Sequence, residues 1–289
     1  MQRLAPAKIN LFLHVGGRRA DGYHDLFSLV VFADCGDSMQ ATSASRTSLA
    51  ISGPHAAGLA ADNTNLVLRA AGALRQWADA NGHASGEVEL ALEKNLPVAS
   101  GIGGGSSDAA ATLLLLAQLW ALPVPQEELF RIGRSLGADV PVCLRALPTI
   151  MSGDGESLAP APDLPDFALV LVNPGVAVAT ADVFAGLQVR TGAQPLAWPK
   201  CFASLRELVV FLDRTSNDLS APAKRIAPAI MQAERALVQS KDCLLARMSG
   251  SGATCFGIYP DIETARRAAS ALRTQHSGWW VEAAAPLTD

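Results

Sequence analysis

Residues 97–109 read ProValAlaSerGlyIleGlyGlyGlySerSerAspAla, and an alanine- and leucine-rich stretch runs on from Ala109 to Leu122. That stretch predicts a buried helix, and the first backbone N–H groups of a helix have no intrahelical partner, so the glycine-rich segment leads into an anion site. Gly101, Gly103, Gly104 and Gly105 carry no side chain to block close backbone approach, and they permit positive φ. Ser106 and Ser107 add hydroxyls that can face a phosphate or its metal ion. A P-loop would need a Lys-Ser/Thr pair after its last glycine, and here Ser106 follows Gly105 with no lysine nearby. A Rossmann fingerprint begun at Gly101 would need glycine or a small substitute at 106 and an acidic residue about twenty positions on at a strand end, where this chain has Ser106 and a single helix. The plainer alternative is a flexible turn with two helix-capping serines. Against it stands the entropic cost of so many glycines in so short a span unless a ligand needs the space.

Outward from this loop, Glu87 to Leu92 alternates apolar and polar residues, a half-buried strand that delivers the chain to the glycines in the order strand, loop, helix. Asn63 to Ala78 has Leu66, Ala70, Ala73, Leu74 and Trp77 at helical spacing, with side-chain oxygens from Asp62 to Thr64 at its start. A further helix is expected from Gln126 to Leu136, with Pro125 near its first turn, Glu127 and Glu128 at its positive end, Gly137 to stop it and Asp139 just beyond. Ala7 to Val15 and Phe27 to Phe32 read as strands joined by a long loop, GlyGlyArgArgAlaAspGlyTyrHis. Near residue 150 the texture changes: SerGlyAspGlyGlu and AlaProAlaProAspLeuPro precede a new apolar strand, Phe167 to Val172. A boundary there gives two domains, 1–150 and 151–289, with Ala177 to Pro199 a loosely packed connection holding Phe184 and Trp198.

With 289 residues, 49% of them hydrophobic and 17% charged, the chain can build a sizeable core. A net charge of -4, and no Lys/Arg run longer than two, argue against nucleic acid or an anionic membrane as partner. No leader-like segment opens the chain and its longest strongly apolar stretch is too short to span a bilayer, so a cytoplasmic protein is expected. Cys35, Cys143, Cys201, Cys243 and Cys255 are scattered and show no metal-ligand spacing, which predicts free thiols.

The loop resembles the signature of the small-molecule kinase superfamily of galactokinase, homoserine kinase, mevalonate kinase and phosphomevalonate kinase. Two more segments are similar to its other motifs: AlaProAlaLysIleAsnLeu (Ala5 to Leu11), and MetSerGlySerGlyAlaThrCysPheGlyIleTyr (Met248 to Tyr259), a second glycine-rich turn. AlaLysIleAsnLeuPheLeuHisVal, ArgAlaAspGlyTyrHisAspLeu, GlyGlyGlySerSerAspAlaAla and GlyAlaAspValProValCys resemble the branch whose acceptor is a cytidylyl-linked methylerythritol. The resemblance implies an α+β protein with a ribosomal-protein-S5-like N-terminal domain, a ferredoxin-like C-terminal domain and the active site between them. It implies ATP and Mg²⁺ as cofactors, and small molecules as partners.

Residue by residue, the resemblance places Lys8 and Asp139 at the acceptor, where Asp139 takes the hydroxyl proton and Lys8 lowers its pKa or steadies the developing charge. The ATP cradle becomes Pro97, Val98, Ala99, Ser100, Gly101, Ile102, Gly103, Gly104, Gly105, Ser106 and Ser107, with Asn63, Asn65 and Lys94 on the adenine side. Ser106 or Ser107 reaches the metal. Asn10, on the same strand face as Lys8, holds the substrate's polar end. Tyr23 and His24 form the cytidine pair, Thr180 and Phe184 a substrate wall, and Gly250, Ser251 and Gly252 the third-motif loop. Plainer readings stand beside these: Asp139 as a local cap, Lys8 as a solvated lysine on an edge strand, His24 as a polar turn residue, Asn65 as a helix cap. Ala99 and Ser100 stand where the family loop often has glycine, and Ile102 where it has leucine. Another kinase of the superfamily, or a regulator that kept the fold and lost catalysis, are the competing functions.

Overall fold

The structure is a computed structural model and describes residues 1–19, 24–187 and 198–288. Tyr23 lies outside the described residues. The chain forms two compact units that are interleaved in sequence: unit one is Met1–Ala7, Cys35–Val98 and Gly103–Ala146, and unit two is Lys8–Asp34, Ala99–Ile102 and Leu147–Asp289. Two long strands, β1 (Gln2–Arg18) and β2 (His24–Ser43), contribute residues to both. They extend well past the expected Ala7–Val15 and Phe27–Phe32, because apolar runs mark only the part of a strand buried on both faces.

In unit one, β4 (Val88–Glu93) pairs antiparallel with Ser38–Ser43 of β2 and parallel with β3 (Ser48–Ser52). The alternating burial of β4 is the pattern its sequence gives, with Val88, Leu90 and Leu92 inward. Helix α1 (Leu66–Ala80) packs on α2 (Gly104–Leu119), which also packs on α3 (Gln126–Leu136) and α4 (Val140–Arg145). Helix α1 begins three residues later than Asn63, because Asn65 is the cap: its Oδ1 accepts from the Val67 amide while Asp62 turns back to accept from Thr64. Helix α2 begins earlier than the apolar run suggests. Gly104 and Gly105 are already helical and Gly103 caps them in the left-handed conformation, φ 66°.

In unit two, β5 (Thr149–Gly153) pairs with Leu26–Val30 of β2 and with β6 (Ser157–Pro160). A second sheet has the order β10-β7-β9-β8, all neighbours antiparallel, from β7 (Ala168–Asn173), β8 (Leu245–Met248), β9 (Cys255–Tyr259) and β10 (Trp280–Ala284). Between β7 and β8 lie α5 (Thr180–Ala185), α6 (Leu205–Asp213), α7 (Ser220–Ile226) and α8 (Ala229–Gln239), and α9 (Ile262–Gln275) links β9 to β10. With α8 and α9 packed on it, this is the βαββαβ arrangement of a ferredoxin-like sheet. Its core gathers Val170, Val172, Ile230, Leu237, Tyr259 and Leu272 with Leu13 and Val15 of β1. Among the described residues no helix is long and apolar enough to cross a membrane.

Arg247 of β8 braces unit two. Its guanidinium is buried and donates to the carbonyls of Leu11, Leu212 and Thr215 and to the Thr215 hydroxyl. Burial pushes its pKa below the usual value, so these acceptors are what hold the charge. Arg247→Met leaves the carbonyls unpaired and is expected to lower unfolding free energy by about 2–4 kcal/mol, read from urea denaturation. An unchanged midpoint would remove this role.

Candidate active site

The three motifs meet by backbone hydrogen bonds within unit two. The Lys8 amide donates to the Ile102 carbonyl at 2.9 Å, tying the first motif to the glycine loop. The Thr254 amide donates to the Ser100 carbonyl at 3.0 Å, and Ser249 Oγ to the Gly101 carbonyl at 3.1 Å, tying the third motif to it. Ser249 Oγ also accepts from the Asn10 amide, so one buried hydroxyl bridges all three. Val178 N donates to Ala99 O, bringing in the segment before α5.

Gly101, at φ +75°, lies so close to the third motif that a Cβ would sit 2.5 Å from Ser249 O and 2.6 Å from Gly252 N. Gly250, at φ +53°, faces the Gly101 carbonyl just as tightly. Neither position accepts a side chain. Asn217 holds the turn from behind, its Nδ2 donating to the Met248 and Gly250 carbonyls, and Thr180 Oγ1 lies 2.8 Å from Ser251 Oγ.

Two of the expected substrate residues come together in the same unit: the His24 and Phe184 rings are 5.5 Å apart and tilted by 30°. His24 Nδ1 is 3.1 Å from the Gly16 carbonyl, which can only accept, so Nδ1 carries a hydrogen. Asn10 is buried, with Nδ2 donating to Ser28 Oγ and Oδ1 buried without a hydrogen-bond partner among the described residues. Lys8 is buried as well, which sets aside the reading of a solvated edge lysine.

Unit one holds the other half of the glycine loop, with Pro97 and Val98 before it. The first turn of α2 has no side-chain cap. Of the two serines, Ser107 is committed: its buried hydroxyl donates to the Pro6 carbonyl at 2.7 Å. Ser106 is half-buried. Asp139 occupies the N-cap position of α4 but makes no capping hydrogen bond, so capping does not account for it. Lys8 and Asp139 belong to different units. Asn63 is exposed, and Asn65 spends its side chain on Val67 and the Ala60 carbonyl.

Lys94 is no simple lining residue. Its ammonium is buried between Asp37 of β2 and Asp108 of α2, 2.7 Å from the latter. Burial works to lower its pKa, and the two carboxylates outweigh that and raise it. Asp108 is pushed up to about 7 by burial, with Lys94 opposing and Asp37 adding to the rise. Asp37 and Asn217 carry no motif signal, whereas Ser249 lies inside the third motif. Asp108 lies inside the glycine motif, next to the serines that drew attention.

The GHMP kinases N terminal domain matches residues 65–146, and the GHMP kinases C terminal domain matches residues 200–278. The chain belongs to the GHMP kinase family. Among curated relatives, a 4-diphosphocytidyl-2-C-methyl-D-erythritol kinase of Rhodospirillum rubrum is 49% identical over 96% of this chain and 90% of its own. One of Rhizobium meliloti is 48% identical over 96% and 93%. A crystal structure of 4-(cytidine 5'-diphospho)-2C-methyl-D-erythritol kinase superposes with a TM-score of 0.76 at 34% identity, covering 99% of both chains. The homoserine kinase of Cytophaga hutchinsonii shares the fold, with a TM-score of 0.70 at 16% identity over 100% of this chain and 95% of its own.

Gly101→Ala is expected to lower stability by about 2 kcal/mol or more, since the Cβ meets backbone on both sides and φ is positive. Thermal and urea unfolding read this directly. A variant as stable as the parent would mean that the loop and third motif are free to separate.

Proposed function

We propose that this chain catalyses ATP-dependent phosphorylation of the 2-hydroxyl of 4-diphosphocytidyl-2-C-methyl-D-erythritol, a step of the non-mevalonate route to isoprenoid precursors. The observation that carries the reading is the joining of the first and third motifs to the glycine loop through Lys8, Ser249 and Thr254. The naming of relatives about half identical over nearly the whole chain supports the acceptor.

Phosphoryl transfer asks the protein mainly to position the partners and stabilise charge. The uncapped first turn of α2, with Gly104 and Gly105, offers amides to the ATP phosphates. Asp139 accepts the proton of the attacking hydroxyl, and Lys8 steadies the negative charge that develops as the bond to ADP breaks. A magnesium ion suits the Ser106 hydroxyl together with phosphate oxygens, for among the described residues no three His, Cys, Asp or Glu groups gather as an all-protein site. Bound there, it would neutralise charge on the triphosphate. On the acceptor side, the ring faces of His24 and Phe184 suit the cytosine.

ADP release with Mg-ATP is the test, comparing the cytidylyl compound with homoserine, mevalonate and galactose. Turnover with the first alone is expected; turnover with another acceptor keeps the kinase and removes the cytidine pocket. Asp139→Asn and Lys8→Ala should each lower kcat about a hundredfold or more with Tm nearly unchanged. Near-parental turnover in either takes away that residue's role. His24→Ala should raise KM for the acceptor more than for ATP, and equal effects would move the pocket elsewhere.

A further inference from the structure

We infer that Ser28 is a positioning residue for the phosphoryl acceptor: it holds the Asn10 side-chain amide by Nδ2, so that Oδ1 is kept to accept a hydrogen bond from an acceptor hydroxyl other than the one that reacts. The inference deepens the kinase reading and rests on Lys8 and Asn10 lying at the acceptor.

Ser28 breaks an otherwise apolar run, Phe27–Phe32, and is 0% exposed. In β2 it sits opposite Met151 of β5. Its hydroxyl has one hydrogen to give, and the Phe12 carbonyl, which can only accept, takes it at 2.6 Å. Toward Asn10 the hydroxyl oxygen therefore offers lone pairs alone, and Asn10 Nδ2 donates to it at 2.8 Å. The reverse orientation of the amide would set Oδ1 against an oxygen with no hydrogen left, two acceptors face to face. The bond from Ser28 to Phe12 thus decides which corner of the Asn10 amide is spent and which is left.

The backbone of Asn10 is fixed as well. Its amide donates to Ser249 Oγ, which donates in turn to the Gly101 carbonyl, so β1 cannot shift here without parting the third motif from the glycine loop. Asn10 is 1% exposed, and its Oδ1 is buried without a hydrogen-bond partner among the described residues. A buried oxygen left without a donor is costly, and a ligand that brings a donor removes that cost.

The strand selects the donor. Lys8 and Asn10 are two positions apart in β1, so their side chains leave the same face about 7 Å apart. Phosphate and ester oxygens of a cytidylyl acceptor cannot donate. Its donors are the polyol hydroxyls and the cytosine amino group, and a place on the strand face of Lys8, the residue assigned to the reacting 2-hydroxyl, favours the hydroxyls that flank it, at carbons 1 and 3. A flanking hydroxyl held by Oδ1 sets the rotation of the polyol and with it the oxygen presented for transfer.

The test is steady-state kinetics of the full chain with Mg-ATP, using the cytidylyl acceptor and its 1-deoxy and 3-deoxy analogues, in the parent and in Ser28→Ala. In the parent, one of the two analogues is expected to lose roughly a hundredfold in kcat/KM. Ser28→Ala should lose about tenfold with the unmodified acceptor, keep its KM for ATP, and narrow the penalty on that analogue to about tenfold or less, because an amide that can turn no longer demands a donor. A merely structural Ser28 would lower all three acceptors alike. The full penalty retained in Ser28→Ala therefore overturns the inference. So does a parent that discriminates against neither analogue, which leaves the kinase reading intact. No turnover of any of the three acceptors by the parent overturns both. Should Ser28→Ala fail to fold, Ser28→Cys decides, since it fills the same space with a weaker acceptor: a narrowed penalty supports Ser28, and a penalty equal to the parent's overturns the inference.

Discussion

Bare backbone against bare backbone, at Gly101 and Gly250, is the constraint from which the candidate site follows. Both residues are at positive φ; a Cβ on Gly250 would strike the Gly101 carbonyl, and one on Gly101 would strike the Ser249 carbonyl and the Gly252 amide. The close approach lets Ser249 reach the Gly101 carbonyl and Thr254 reach Ser100, so the glycine loop is held from outside rather than by its own flexible residues. An anion cradle made of mobile glycines would lose much of its binding energy to ordering on each encounter; a cradle pinned by a neighbouring turn has met that entropy during folding.

A different kind of restraint operates on the other half of the loop. From Gly103 on, α2 fixes the backbone by its helical bonds, and Ser107 anchors it to the Pro6 carbonyl. Lys94, Asp37 and Asp108 are buried together, and a Cβ on Gly104 would lie 3.1 Å from Lys94 Nζ. Buried ion networks of this kind rarely add stability beyond an apolar core of the same volume, and breaking one partner of such a network is costly.

Legibility in the sequence followed the range of the interactions. Helix α3 falls on the expected Gln126–Leu136, because its start and stop signals are local: Pro125, two glutamates and Gly137. The alternation of β4 and the apolar run of β7 were readable for the same reason. Asn65 as a cap was one of two readings, and the Val67 amide selects it for the helix. What the sequence hid is long-range. Asp37 meets Lys94 across 57 positions and Asn10 meets Ser249 across 239, and no spacing rule links such pairs. The interleaving of the units was equally hidden: a composition change near residue 150 marks where textures differ, and gives no hint that Lys8–Asp34 and Ala99–Ile102 belong with the later half.

That interleaving bears on synthesis at the ribosome. Every residue of unit one has been made once Ala146 is added, while Lys8–Asp34 belong to a unit that takes in all residues from Leu147 to Asp289. The Asp34 amide donates to the Ala285 carbonyl and the Leu287 amide to the Phe32 carbonyl, so β2 receives these partners only once Ala285 and Leu287 have been made. Until then the nascent chain carries the apolar segment Phe27–Phe32 with its strand pairing incomplete, and an incompletely paired apolar strand is the type that pairs wrongly when crowded.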